Sequence, residues 1–189
     1  MTAESEHVRE AVQQSVQLLR PEVQRDWTIE AGTVAWSCWK TAAHVSNDLL
    51  KYAGQVVGQP QHGYLRFHVR AASDAAPLDL LDTMQMAGNM LALAVETADS
   101  ASTAWHYGAT DPTGFAAMGV GETLLHTYDI ATGLGIDWTP LPDLCEFVLA
   151  RMFPEFTDGA PVDRLLWLTG RRALGDQPPR GDWVWHAAR

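Results

Sequence analysis

The chain of 189 residues is 47% hydrophobic and 19% charged, with a formal net charge of −10. This is the composition of one ordinary globular domain, spanning 1–189, that buries a core without disulfide or metal staples. The acidic balance, with lysine only at Lys40 and Lys51 and no basic run, excludes nucleic acid as a partner, because phosphate binding depends on clustered Lys and Arg.

No apolar run reaches the roughly 18 residues needed to cross a bilayer, so no membrane partner is expected. The polar, acidic start Met-Thr-Ala-Glu-Ser-Glu-His is not a signal peptide, and a cytoplasmic location is expected. Cys38 and Cys145 are too few and too far apart for a zinc ribbon or a disulfide framework and read as two buried free thiols.

From Glu4 to Arg20, Val8, Val12, Val16, Leu19 and Val23 recur at helical spacing, and Pro21 predicts a kink or an end near Leu19. A second helix is expected from about Thr33 to Val57. Its apolar arc holds Trp39, Ala42, Ala43, Leu49, Leu50, Ala53 and Val56. His44 falls on the opposite face with Ser37, Lys40, Asn47, Asp48 and Lys51, as a solvated surface residue or as part of a polar pocket. The stretch 58–76 reads as loop. Within it Tyr64, Arg66, His68 and Arg70 would share one face if extended. Pro77 opens a third helix, to about Ala101, whose apolar residues fill most of its faces, as expected of a central helix.

The fourth helix contains Met118-Gly-Val-Gly-Glu-Thr-Leu-Leu-His-Thr-Tyr-Asp-Ile-Ala-Thr-Gly133 and is expected to stop at Gly133 and Gly135. A fifth begins at Thr139-Pro140 and ends at Pro154. A last one runs from Val162 to about Leu174, before an irregular tail containing Trp183 and Trp185. Helices joined by loops, with no convincing strand, predict an all-α bundle with an up-and-down core of four helices and one or two further C-terminal helices.

Glu122 and His126 lie one turn apart on one helical face, and Asp129 joins them one turn on. Phe115, Met118, Leu125 and Ile130 flank that face, so the polar groups sit in an apolar stripe, where charges are normally neutralised, paired or bound to metal. A Glu four residues before a His is also what an exposed, weakly stabilising helix pair looks like. The apolar surroundings, the glycine stop and the unexplained polar face around His44 put a metal site level with that plain helix pair. Asp129 would orient His126 or serve the helix end. His106 would line a pocket or sit in an exposed loop. Arg171, with Arg172, would hold a substrate carboxylate or offset a helix dipole.

The segment 121–133, Gly-Glu-Thr-Leu-Leu-His-Thr-Tyr-Asp-Ile-Ala-Thr-Gly, resembles the second metal motif of the DinB-like metal-binding helical bundles, nearest the actinobacterial group of mycothiol-dependent maleylpyruvate isomerase. Trp36-Ser-Cys-Trp-Lys-Thr-Ala-Ala-His-Val resembles the first motif, and Leu165-Leu-Trp-Leu-Thr-Gly-Arg with the Trp-rich tail resembles the far end. The resemblance implies three metal ligands at His44, Glu122 and His126. Two imidazoles and one carboxylate suit zinc, or another divalent ion such as nickel, and three protein ligands leave an open position, which means catalysis. The resemblance further implies a low-molecular-weight thiol, mycothiol, as cosubstrate, and isomerisation of, or transfer to, a small electrophile. The isomerase group carries an additional C-terminal domain at its active site that does not follow the bundle here, so maleylpyruvate itself is not the expected substrate. The alternative is a non-catalytic bundle that binds a small molecule or partner through a Trp-rich surface (Trp27, Trp36, Trp39, Trp183, Trp185). The same tryptophans, if exposed, would suit a homodimer.

Overall fold

Thr2 caps the first helix, α1 (Ala3–Leu19), in a reciprocal pair with Ser5, and the predicted valine stripe is its buried face. Pro21 ends it, and the chain tightens into a single 3₁₀ turn at Arg20–Glu22. These coordinates are a computed structural model, which describes residues 1–67 and 69–188. His68, one of the alternating group in the 58–76 loop, lies outside the described residues. The remaining helices are α2 (Cys38–Gly58), α3 (Pro77–Thr97), α4 (Pro112–Leu134), α5 (Pro142–Met152) and α6 (Pro161–Leu168). Helix accounts for 56% of the described residues. Among the described residues strand is confined to a two-residue antiparallel pair, Ala104–Trp105 with Ala109–Thr110, so the class is all-α.

Helix α1 packs on α3 and α4, and α2 packs on the same two. α5 covers another side of α4, and α6 packs on α5. The central helix is therefore α4 and not α3. Phe115, Met118, Leu124 and Ile130 are fully enclosed, while Met86, Met90 and Leu93 of α3 face outward. The apolar residues on most faces of α3 thus leave an unburied stripe, where a centrally packed helix was expected.

Several boundaries differ from those expected. Helix α2 begins at Cys38, because the preceding segment folds into a tight hairpin-like loop. Ala31 N donates to Trp36 O at 2.8 Å, Cys38 N to Ile29 O at 2.9 Å and Trp39 N to Trp27 O at 2.9 Å. Ser37 then caps the helix through Lys40 N. Helix α4 runs through Gly133 and stops at Gly135, which takes the left-handed conformation. Helix α5 starts at Pro142 in place of Thr139-Pro140, and α6 ends at Leu168.

The tryptophans do not form an exposed surface. Trp27 is 3% exposed, and Trp36, Trp39, Trp183 and Trp185 are half-buried. This removes the observation on which both the Trp-rich binding surface and the dimer expectation rested. Exposed apolar side chains gather instead at Val57, Leu65, Phe67, Met90 and Leu93, around a cavity of about 640 Å³ between α2, α3 and the loop residues Tyr64, Leu65, Phe67 and Val69. Among the described residues no helix is long and apolar enough to cross a membrane.

Both cysteines are free and buried. Burial pushes the Cys38 thiol up to about 11 and the Cys145 thiol up to about 12. Since the thiolate is the reactive form, neither should react with Ellman's reagent at pH 8 in the native protein. Both should react at once in denaturant, and rapid native labelling of either would contradict this packing.

Candidate metal centre

His44 stands in the second turn of α2, and Glu122 and His126 stand one turn apart on α4, so the contact between α2 and α4 decides whether the three meet. They do. His126 Nε2 is 3.2 Å from Glu122 Oε2, His44 Nε2 is 3.5 Å from the same oxygen, and one donor atom from each residue lies within 4.8 Å of the others. Ligands held at about 2.0–2.1 Å from a tetrahedral ion lie roughly 3.4 Å apart, so this donor set fits a small divalent ion with little rearrangement. His44 is therefore part of a polar pocket and not a solvated surface residue.

The groups behind these three side chains are arranged to orient them. His126 Nδ1 donates to Asp129 Oδ2 at 2.9 Å, which directs Nε2 at Glu122. Asp129 is 1% exposed, and Arg171 clamps it side-on, Nε donating to Oδ1 at 3.1 Å and Nη2 to Oδ2 at 2.8 Å. The Arg171 side chain is thus committed to Asp129 and does not hold a substrate carboxylate. Arg172 is likewise paired, with Asp163. Burial alone would push the Glu122 carboxyl up, but the imidazoles of His126 and His44 more than offset it and hold Glu122 well below the usual carboxylate range. Burial would lower the His126 imidazole, yet its bonds to Asp129 and Glu122 raise it to about 9. Each of these two groups is therefore stabilised in the charged form by its neighbours, against the cost of burial.

His106 is neither exposed nor at the triad cavity. It is 6% exposed, its Nδ1 accepts a hydrogen bond from the Tyr64 hydroxyl, and burial lowers its pKa. It ties the 59–76 loop to the short strand pair, which corrects both readings considered for it.

The open side of the triad faces a cavity of about 580 Å³. Its walls come from the loop before α2 (Thr33 to Trp36), from Leu125, from the end of α6, and from the tail residues Arg180, Trp183 and Trp185. The Trp36 ring stands edge-on to His44, centroids 4.9 Å apart. Trp185 lies against Gly121, where a Cβ would meet its ring carbons at 2.6 and 2.7 Å, so the glycine before Glu122 is what lets the indole approach α4.

Reading from sequence missed two kinds of residue. Asp48, one turn after His44, places Oδ2 3.4 Å from His44 Nε2 and pairs with Lys51 at 3.1 Å. Burial and the nearby Glu122 raise its pKa, against the pull of His44 and Lys51. The i, i+4 spacing from His44 could have found it. Arg180 had no such signal, and Trp185, named only within a Trp-rich surface, had none that put it beside Glu122, because a tail folding back over a helix leaves no periodicity. Compared with models of known protein families, with curated proteins and with solved structures, the chain matches none.

Proposed function

We propose that this protein is a metal-dependent enzyme built on a DinB-like, up-and-down four-helix bundle, with α5 and α6 as additional C-terminal helices. In this reading His44, Glu122 and His126 hold a divalent ion, zinc first and nickel as the alternative. A cytoplasmic low-molecular-weight thiol, mycothiol in the resembled group, is added or transferred to a small electrophile. The observation that carries this reading is the convergence of three ligand-type side chains from two helices on one side of an indole-walled cavity.

When bound, such an ion favours the deprotonated form of a thiol or water in its open position and so supplies a nucleophile at neutral pH. The chain's own groups do the rest. Asp129 takes the Nδ1 proton of His126 in a hydrogen bond, leaving the Nε2 lone pair directed at the site, and Arg171 keeps Asp129 in place. Trp36 limits the swing of the His44 ring. Trp183 and Trp185 keep bulk water from one side of the cavity, which strengthens every charge interaction inside it. These roles need a preorganised, half-covered site, and the packing around Gly121 and Asp129 provides one.

The test is elemental analysis of the purified protein followed by a thiol-transfer assay with a generic electrophile, 1-chloro-2,4-dinitrobenzene. About one equivalent of zinc or nickel is expected in the wild type, with thiol-dependent turnover that Glu122→Ala abolishes together with the metal. Wild-type protein without stoichiometric metal ends the metal reading. Stoichiometric metal with a rate equal to that of Glu122→Ala leaves a binding protein and ends the enzymatic one.

A further inference from the structure

The acidic groups around the triad are already matched. Asp129 is paired with Arg171, Asp48 with Lys51, and Glu122 faces two imidazoles. Arg180 is the converse case. It lines the same cavity, and its guanidinium carbon sits 5.0 Å from the centroid of the Phe156 ring. Among the described residues its side chain makes no ion pair and no hydrogen bond. An aromatic face beneath a guanidinium holds its plane and leaves the N–H edges free to donate. The backbone fixes where it stands. Arg180 N donates to Trp167 O at 3.2 Å, and Trp167 Nε1 donates to Pro178 O at 3.0 Å, tying this part of the tail to α6. In a chain of net charge −10, a wall residue of the cavity beside the triad thus carries a cation that is held over Phe156 and is unmatched among the described residues.

We propose that Arg180 is the substrate-recognition residue of this cavity, and that it binds an organic oxyanion, a carboxylate or a phosphate, whose apolar body lies against Trp183 and Trp185. This rests on the triad being the reacting centre and adds the class of molecule that reaches it. Charge balance leads to the same class. A divalent ion with two neutral imidazoles and one carboxylate keeps one positive charge, which a thiolate cancels. The Arg180 guanidinium then remains for an anion on the other reactant. Its fork of donors matches a planar oxyanion in two parallel bonds. Arg171, the residue that sequence alone put forward for this task, is occupied by Asp129. The two indoles, T-shaped with centroids 5.5 Å apart, offer a face and an edge to a flat apolar group.

The test is a tryptophan-fluorescence titration of the full chain with benzoate and phenyl phosphate, with benzamide as the neutral control. Wild type is compared with Arg180→Gln and Arg180→Lys, and the metal content of each sample is measured. Wild type should bind one of the anions about tenfold or more tighter than benzamide. Arg180→Gln should lose that preference, and Arg180→Lys should keep part of it, because lysine retains the charge without the fork. The tighter of the two anions identifies the oxyanion. A wild type without anion preference, or an Arg180→Gln variant that keeps it, overturns the proposal. Arg180-dependent binding by a protein without stoichiometric metal sinks the metal reading alone. Stoichiometric metal with binding indifferent to Arg180 sinks this one alone.

Discussion

Arg171→Met should destabilise the protein by about 3 kcal/mol, a fall in Tm on the order of 10 °C at this chain length, measured by thermal unfolding of metal-free samples. Asp129 is 1% exposed and the Arg171 side chain 7%, so removing the guanidinium strands a carboxylate out of reach of water. Breaking a buried pair from one side costs about 3–5 kcal/mol in general. The low end applies here because His126, raised to about 9 by its neighbours, still carries a compensating proton at neutral pH. The comparison that separates structure from chemistry is the double variant Asp129→Leu/Arg171→Met. Replacing both partners removes the stranded charge and should recover most of the lost stability. It should not recover metal binding, because His126 Nδ1 has lost its acceptor, and a loss of about 10–100-fold in metal affinity is expected. If the double variant is no more stable than the single, Asp129 and Arg171 are not the coupled pair described here. If it binds metal as tightly as the wild type, Asp129 has no orienting role.

That pair also marks where reading the sequence stops. Periodicity was sufficient for the buried valines of α1, for the polar face that carries His44, and for the Glu122–His126–Asp129 face of α4, because each is a local repeat of one helical turn. It could not tell that α2 and α4 pack with those two faces together, since that depends on which helices become neighbours. Asp129 and Arg171 are 42 residues apart. Arg171 looked like a free cation near the end of a helix, and only the packing of the segment after α6 beside α4 makes it a clamp. Helix α3 failed for a related reason. Apolar residues on most of its faces read as a central position, yet a helix can be apolar on a side that this fold leaves open, as Met90 and Leu93 are. The start of α2 was missed because the loop before it is held by backbone bonds between Trp27, Ile29, Ala31 and their partners, to which side-chain patterns contribute nothing.

The same loop carries the second large effect. Gly133 is inside α4, where alanine normally gains about 1 kcal/mol over glycine in helix propensity. A Cβ at this position, however, would lie 2.3 Å from Glu30 O, 3.0 Å from Ala31 Cα and 3.1 Å from Cys38 Sγ. Two of these three are backbone atoms of the loop that is hydrogen-bonded across Ala31–Trp36 and Ile29–Cys38, so neither can move away as a side-chain tip could. Overpacking of this kind typically costs about 1–3 kcal/mol, and with rigid backbone on the other side it should exceed the propensity gain. Gly133→Ala should therefore lower stability in spite of being a helix-favouring change, as read by the denaturation midpoint. The strain also falls on the segment that sets Trp36 and the beginning of α2. The loop must yield outward from α4, which shifts Trp36 against His44 and the His44 imidazole against Glu122, now 3.5 Å away. A weakened metal affinity should accompany the lost stability, measured by competition with a chromophoric chelator. Gly88→Ala is the control. Its Cβ would meet Val12 between α3 and α1 at 2.6 Å, which overpacks a helix contact remote from the triad, so stability should fall while metal affinity stays. Equal loss of metal affinity in both variants would mean that general loosening, and not the Glu30–Cys38 loop, governs the site. A stabilised Gly133→Ala would mean that the loop does not rest on α4 at all.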